Sequence, residues 1–277
     1  MKVMALIKIA FLAAILAAAS ALFGLACNKV QGQYELLFSP GWELLNLALW
    51  VFGTMLFAAL AAGLVAALVR PFWATVLVFA LSMMALILTW GSSLIIVASV
   101  AVCFLLSLLY AYNVTHELDQ RVSFSVRPMQ EGQKVLLLAL ALLIGVSFAL
   151  GYNADAKAGG YIIPPAYEQT VMEMITRAAK SQIESQPDLE PTEKAAALQQ
   201  MEQQAESFWT GLEASLQPYA QYIPFGLGAL VFWLLETLLG FMAWIPPMLL
   251  GVTVSLLKAM GVVKVVTETK ETRKLVL

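Results

Sequence analysis

One acidic side chain stands inside a long apolar stretch near the end of the sequence, and it is the strongest candidate for chemistry in the chain. Glu236 lies in residues 232–240, where Thr237 is the only other polar residue. A charged acid at the centre of a bilayer costs at least about 2.5 kcal/mol, so this carboxyl group should be protonated, hydrogen-bonded or in contact with water. Such groups serve as proton or cation relays or as substrate contacts. The alternative is a neutral hydrogen bond between helices, without a function of its own.

The candidate partners of Glu236 are hydroxyl groups, because no Lys or Arg lies at a matching depth in the other apolar stretches. Thr54 and Ser147 are the two candidates for a site shared with Glu236, and Ser82 and Ser99 are further donors on neighbouring stretches.

Other residues that commonly perform chemistry are scarce. The chain has two cysteines, Cys27 and Cys103, and one histidine, His116. These are too few for a disulfide framework, a thiolate metal site or a histidine cluster. Phosphate-binding glycine loops, the Gly-x-Ser-x-Gly elbow and the His-Glu-x-x-His motif are absent from the sequence. We therefore expect a protein that is not an enzyme and has no cofactor and no metal site.

The composition indicates whether the folded chain is surrounded by water or by lipid. Of its 277 residues, 61% are hydrophobic and 12% are charged, with a net charge of −2. Soluble domains average about 25% charged and 45–50% apolar residues. This excludes a water-soluble enzyme, a disordered protein and a nucleic-acid-binding protein, and it predicts an all-α, polytopic membrane protein with the lipid bilayer as its surroundings.

Six stretches are long and apolar enough for membrane-spanning helices, which need about 20 apolar residues each. They are residues 4–26, 43–69, 72–90, 93–112, 135–152 and 223–244. Spans three and four are joined by a very short connection and should form a tight helical hairpin. The first stretch could instead be a cleaved or lipidated signal ending near Cys27, but its apolar run of about 18 residues is long for a signal and favours a retained span.

The distribution of Lys and Arg predicts the orientation. With the N-terminus inside, eleven basic residues lie in cytoplasmic segments and only Lys29 lies in a short outer loop. The other four lie in residues 153–222, a segment too long for the positive-inside rule to weigh strongly. We therefore predict a multi-pass protein of the plasma (inner) membrane with both termini in the cytoplasm.

The region after span six permits three interpretations. Pro246 and Pro247 must bend or stop a helix, and a further apolar stretch follows at 248–263. This stretch could be an interfacial or re-entrant helix, the end of one long kinked sixth helix, or a seventh span. In the second case Glu236 would lie at the outer interface rather than near mid-bilayer.

Residues 153–222 differ from the rest in composition and predict an extracytoplasmic helical hairpin between spans five and six. They contain ten acidic and four basic residues. Apolar residues recur at helical spacing in two runs, and the turn-forming segment 186–191 separates them. The expected stripes are Tyr167, Val171, Met174 and Ala178 in the first helix, and Leu198, Met201, Ala205, Phe208 and Leu212 in the second. Two helices alone bury too little apolar area to fold stably, so the hairpin must pack against the membrane domain, a second copy or a partner.

Phe208 and Trp209 are the candidate partner contacts of this hairpin. Adjacent residues cannot share one narrow helical stripe, so one of the two should reach beyond the hairpin. Trp209 would either pack on the membrane-proximal core or the lipid headgroups, or anchor a protein partner.

The predicted domains follow this division. Residues 1–152 form a membrane domain of five spans with a cytoplasmic loop at 113–134, residues 153–222 form the acidic hairpin, residues 223–245 form span six, and residues 246–277 form an interfacial helix and a basic tail. Residues 121–127 alternate like a strand and residues 262–270 are rich in β-branched side chains, so the two could pair.

The leading functional hypothesis is a structural or interaction protein of the plasma membrane that presents the hairpin to a protein partner or a second copy. The alternative is a small-solute or ion transporter that uses Glu236. Paired repeats, which transporters usually show, are not visible in the sequence.

Overall fold

The computed structural model describes residues 2–38, 41–120, 127–184, 191–242 and 244–260. Within these residues the protein is all-helical, and six helices are long and apolar enough to cross a membrane. This agrees with the six predicted spans. The proposed strands at 121–126 and 262–270 lie outside the described residues, while Arg127 and Pro128 belong to the first turn of a helix, where proline is favoured.

Nine α-helices follow one another along the described chain. They are α1 (Lys2–Gly32), α2 (Trp42–Leu68), α3 (Phe72–Trp90), α4 (Leu94–Gln120), α5 (Arg127–Gly159), α6 (Pro165–Glu184), α7 (Pro191–Leu216), α8 (Ile223–Phe241) and α9 (Ile245–Ala259). Two short 3₁₀ turns, Tyr34–Leu37 and Gln217–Tyr219, precede α2 and α8.

Helix α5 is longer than its apolar run. It continues through Gly159, beyond the predicted boundary at residue 152, because the polar and alanine residues that follow are compatible with a helix. Gly160 ends it with a φ of +67°, and its N–H donates to the carbonyl of Ala156 at 2.9 Å. A left-handed glycine of this kind is a common helix terminator.

The described residues cluster into two compact units. The first lies within Met1–Asn28, Trp50–Ile144 and Val231–Leu277, and the second lies within Lys29–Leu49 and Gly145–Leu230. The second unit therefore combines the α6–α7 segment with the end of α1, the start of α2, the C-terminal part of α5 and the start of α8.

The first unit is held by close helix contacts at small residues. A Cβ on Gly24 of α1 would lie 2.1 Å from Thr89 Oγ1 and 2.7 Å from the Leu86 carbonyl oxygen of α3. Helices α3 and α4 pack against each other, which confirms the predicted hairpin of spans three and four. Close approach at glycine is a main means of helix association in lipid.

Helix α9 begins with the proline pair and packs against this unit. The prolines occupy its first turn, a position that favours proline, and among the described residues α8 and α9 are two separate helices rather than one long kinked helix. A Cβ on Gly63 of α2 would lie 3.1 Å from Leu250 Cδ1 and 3.3 Å from the Tyr110 hydroxyl oxygen. The 15 residues of α9 span about 22 Å, less than the roughly 30 Å of a hydrocarbon core.

The second unit contains the α6–α7 pair, whose two helices pack against each other as predicted. Its other helix contacts are close: a Cβ on Gly228 of α8 would lie 2.7 Å from the Gly145 carbonyl oxygen of α5. A Cβ on Gly151 of α5 would lie 2.1 Å from the Gln31 carbonyl oxygen.

Candidate functional site

Glu236 lies on an exposed face of α8. The nearby residues Val231 and Leu235 point in other directions around the helix and are buried, with exposures of 6% and 8%. Among the described residues, none forms a hydrogen bond or an ion pair with Glu236. Because α8 ends at Phe241 and not at residue 244, Glu236 is five residues, about 7.5 Å, from that end.

Thr54 and Ser147 are the two side chains predicted to share a site with Glu236. Both are buried, and the Thr54 hydroxyl donates to the Trp50 and Val51 carbonyls of its own helix at 2.9 and 3.0 Å. The hydroxyls of Ser82 and Ser99 likewise donate to carbonyls of their own helices. Hydroxyl groups in apolar helices often satisfy themselves in this way, and a sequence does not reveal it.

Phe208 and Trp209 have different environments on α7. Trp209 is 6% exposed and Phe208 is 63% exposed, and their ring centroids are 5.9 Å apart. The inward stripe of α7 consists of Ala205, Trp209 and the half-buried Leu212 and Leu216. The predicted stripe was therefore wrong at Met201 and Phe208, which are both exposed, and Trp209 is the member of the aromatic pair that packs inside.

The buried Trp209 is the first ring in a series of aromatic contacts within the second unit. Its ring meets Tyr167 of α6 edge to face at 6.0 Å, and Tyr167 meets Phe38 at 5.4 Å. Phe38 contacts Phe148 of α5, and Phe148 contacts Tyr34. Except for the tilted Phe38–Phe148 pair, these contacts are edge to face, an arrangement that stabilises by about 0.5–1.5 kcal/mol per pair beyond area burial. The series attaches the α6–α7 pair to α5 and to the segment before α2.

A pair of phenols reinforces this attachment. The Tyr34 and Tyr161 hydroxyl oxygens are 2.6 Å apart and share a hydrogen bond, and the Tyr152 hydroxyl donates to the Ile162 carbonyl. Burial raises the pKa of the Tyr34 phenol well above its usual range, and the hydrogen bond with Tyr161 adds to the shift. The pair thus favours the neutral, hydrogen-bonded form.

Phe208 belongs to an exposed face of α7 that we call the Phe208 face. Its residues recur three and four apart and are all exposed: Met201, Gln204, Phe208, Gly211 and Ser215. No atom lies within 4 Å of a Cβ placed on Gly211, so a partner could approach the helix closely there. This face therefore presents an exposed aromatic side chain flanked by small and amide residues.

Gln133 of α5 is a polar feature that the sequence did not reveal. It is 1% exposed, its Nε2 lies 3.5 Å from the Ala59 carbonyl oxygen of α2, and its Oε1 has no hydrogen-bond partner. The Tyr110 ring packs against the adjacent Gly132, where a Cβ would lie 2.8 Å from the ring. An amide at the start of an apolar run was the only signal, and it does not distinguish a buried position from an interfacial one.

No group of three or more His, Cys, Asp or Glu side chains that could hold a metal ion occurs in the part of the chain that the structure describes. No family model, curated protein or solved structure matches the chain.

Proposed function

We propose that the protein is a multi-pass interaction protein of the plasma membrane that presents the α6–α7 hairpin, outside the cytoplasm, to a protein partner. The observation that carries the proposal is the 63% exposure of Phe208 beside the buried Trp209. A large apolar side chain held outward by a packed neighbour has the properties of a binding anchor.

The ring contacts beneath Phe208 support this role. Trp209, Tyr167 and Phe38 are in successive ring contact, so the helix that carries Phe208 cannot rotate without breaking them. A preorganised anchor loses little conformational entropy on binding, which favours affinity.

The charge of the segment indicates the character of the partner. Residues 153–222 carry ten acidic and four basic side chains. Complementary electrostatics favour a partner surface with an apolar pocket for Phe208 and basic residues around it.

The transporter hypothesis has less support. Glu236 faces outward on α8, and the Thr54 hydroxyl is bonded within its own helix. A relay or substrate site would need polar groups converging on one cavity. Ion or proton flux into sealed vesicles, compared between the wild-type protein and Glu236→Gln, tests this alternative. Equal flux in the two proteins would reject it.

The experiment for the proposed function is crosslinking in intact cells with a membrane-impermeant reagent. Wild-type protein should give a defined crosslinked complex, and Phe208→Ala should lose it without a change in thermal stability. Met174→Ala is the matched control, because Met174 is also apolar and 59% exposed but lies on α6. Equal crosslinking by all three proteins, or a complex in none of them, would contradict the proposal.

A further inference from the structure

Helix α8 has two faces of different character in its C-terminal half. Val231 and Leu235 are buried, whereas Trp233, Glu236 and Gly240 are exposed. The exposed three are spaced three and four residues apart, so they form one line along the helix, which we call the α8 seam. Trp233 is 70% exposed, and nothing lies within 4 Å of a Cβ placed on Gly240.

A lipid-facing surface does not explain this line of residues. Acyl chains offer no hydrogen-bond donor to a carboxyl group, and carboxylates in apolar spans usually face other protein or water. Side chains of a helix point toward its N-terminus, so Glu236 is directed back along α8 and away from the nearer end at Phe241. Its carboxyl group therefore cannot readily reach the interface beyond that end.

We propose that the α8 seam binds a membrane-spanning helix of a different protein, and that this helix carries a Lys, Arg or His side chain facing Glu236. Charge complementarity selects this occupant, because none of the described residues of this chain pairs with Glu236. A second copy bound through the same seam would bring two Glu236 carboxyl groups together. Gly240 allows the backbones to approach closely, and Trp233 provides the apolar contact area.

This inference is independent of the Phe208 face, since it concerns a different helix and a contact within the lipid. Either surface could fail its test while the other passes.

The test uses a small diazirine-bearing amino acid at Thr237, beside the α8 seam, in the full-length protein in its native membrane. The matched control carries the same group at Leu238, which is also exposed, lies one residue away along the axis and points about 100° around the helix. Illumination should crosslink the Thr237 probe, but not the Leu238 probe, to an apolar segment of another protein. Sequencing of the crosslinked peptide should find a Lys, Arg or His in that segment.

Substitutions of Glu236 test the charge complementarity. Glu236→Asp should keep the crosslink, and Glu236→Lys should lower its yield at least about tenfold, because like charges in an interface repel strongly. Glu236→Leu makes the span more apolar and should insert well, yet it should also lose the crosslink. Membrane-fraction levels of each variant normalise the yields.

Three results would overturn the proposal. They are equal or absent protein crosslinks from Thr237 and Leu238, a crosslinked product that consists of two copies of this chain, and a Glu236→Leu variant that keeps the wild-type yield.

Discussion

At the scale of single residues, Trp209 and Phe208 show how adjacent aromatic side chains on one helix take different roles. Trp209 is buried against Tyr167, so Trp209→Ala should lower the free energy of unfolding by about 3 kcal/mol through lost contacts and a cavity. Phe208→Ala should change it by no more than about 0.5 kcal/mol, because the side chain is exposed. Thermal unfolding in detergent measures both, and equal losses would refute the assignment of roles.

The Tyr34 phenol gives the fold a dependence on alkaline pH. Its pKa is raised in the folded protein by burial, so its contribution to stability is complete below the unfolded pKa of about 10 and is lost as pH rises through the folded value. Wild-type protein should therefore become less stable above pH ~10. Tyr34→Phe should lower the free energy of unfolding by about 1 kcal/mol at pH ~8, and its stability should fall less steeply with rising pH than that of the wild-type protein. Melting temperatures across this range check the prediction, and parallel curves for the two proteins would count against it.

Individual side-chain environments are also where the sequence was least informative. Both Phe208 and Trp209 fit a helical period, and only the position of Tyr167 on α6 decides that Trp209 packs inside. Gln133 is buried because α2 and α4 pack against this part of α5. No local sequence pattern indicates such a tertiary contact. The Thr54 hydroxyl, which was expected to face Glu236, donates to carbonyls of its own helix, and no sequence pattern distinguishes these two arrangements.

At the scale of helices, the apolar runs predicted the number and order of the candidate spans, because a continuous apolar run of that length has one stable form in lipid. Helix ends were predicted less well. Hydropathy reports where the chain stops being apolar, whereas α5 stops being helical only at Gly159, seven residues after the predicted boundary at residue 152. The proline pair could be placed at the start of α9 only from the structure.

The contact between α1 and α3 provides a test at this scale. Gly24→Ala would place a methyl group 2.7 Å from a backbone carbonyl of α3, so the helices must separate, at a cost of about 1–3 kcal/mol. Gly32→Ala in the same helix meets nothing within 4 Å and should be neutral or stabilising by up to about 1 kcal/mol. Unfolding of the two variants in detergent gives the comparison, and a Gly24→Ala protein as stable as Gly32→Ala would show that α1 does not pack there.

At the scale of the whole molecule, the predicted topology places an acidic region and a basic region on different sides of the bilayer. The acidic segment 153–222 and the basic tail after α9 are predicted on opposite sides, since eleven basic residues fall on one side and one in a short loop on the other. The proposed role of the Phe208 face depends on this orientation, because it decides which compartment meets Phe208.

Cysteine labelling in intact cells tests the orientation most directly. The native cysteines Cys27 and Cys103 are buried, so the maleimide should label them little and background labelling should be low. With a membrane-impermeant maleimide, Ser207→Cys in α7 should be labelled in intact cells, and Thr272→Cys in the tail should be labelled only after permeabilisation. Labelling of Thr272→Cys in intact cells, with Ser207→Cys protected until permeabilisation, would contradict the account.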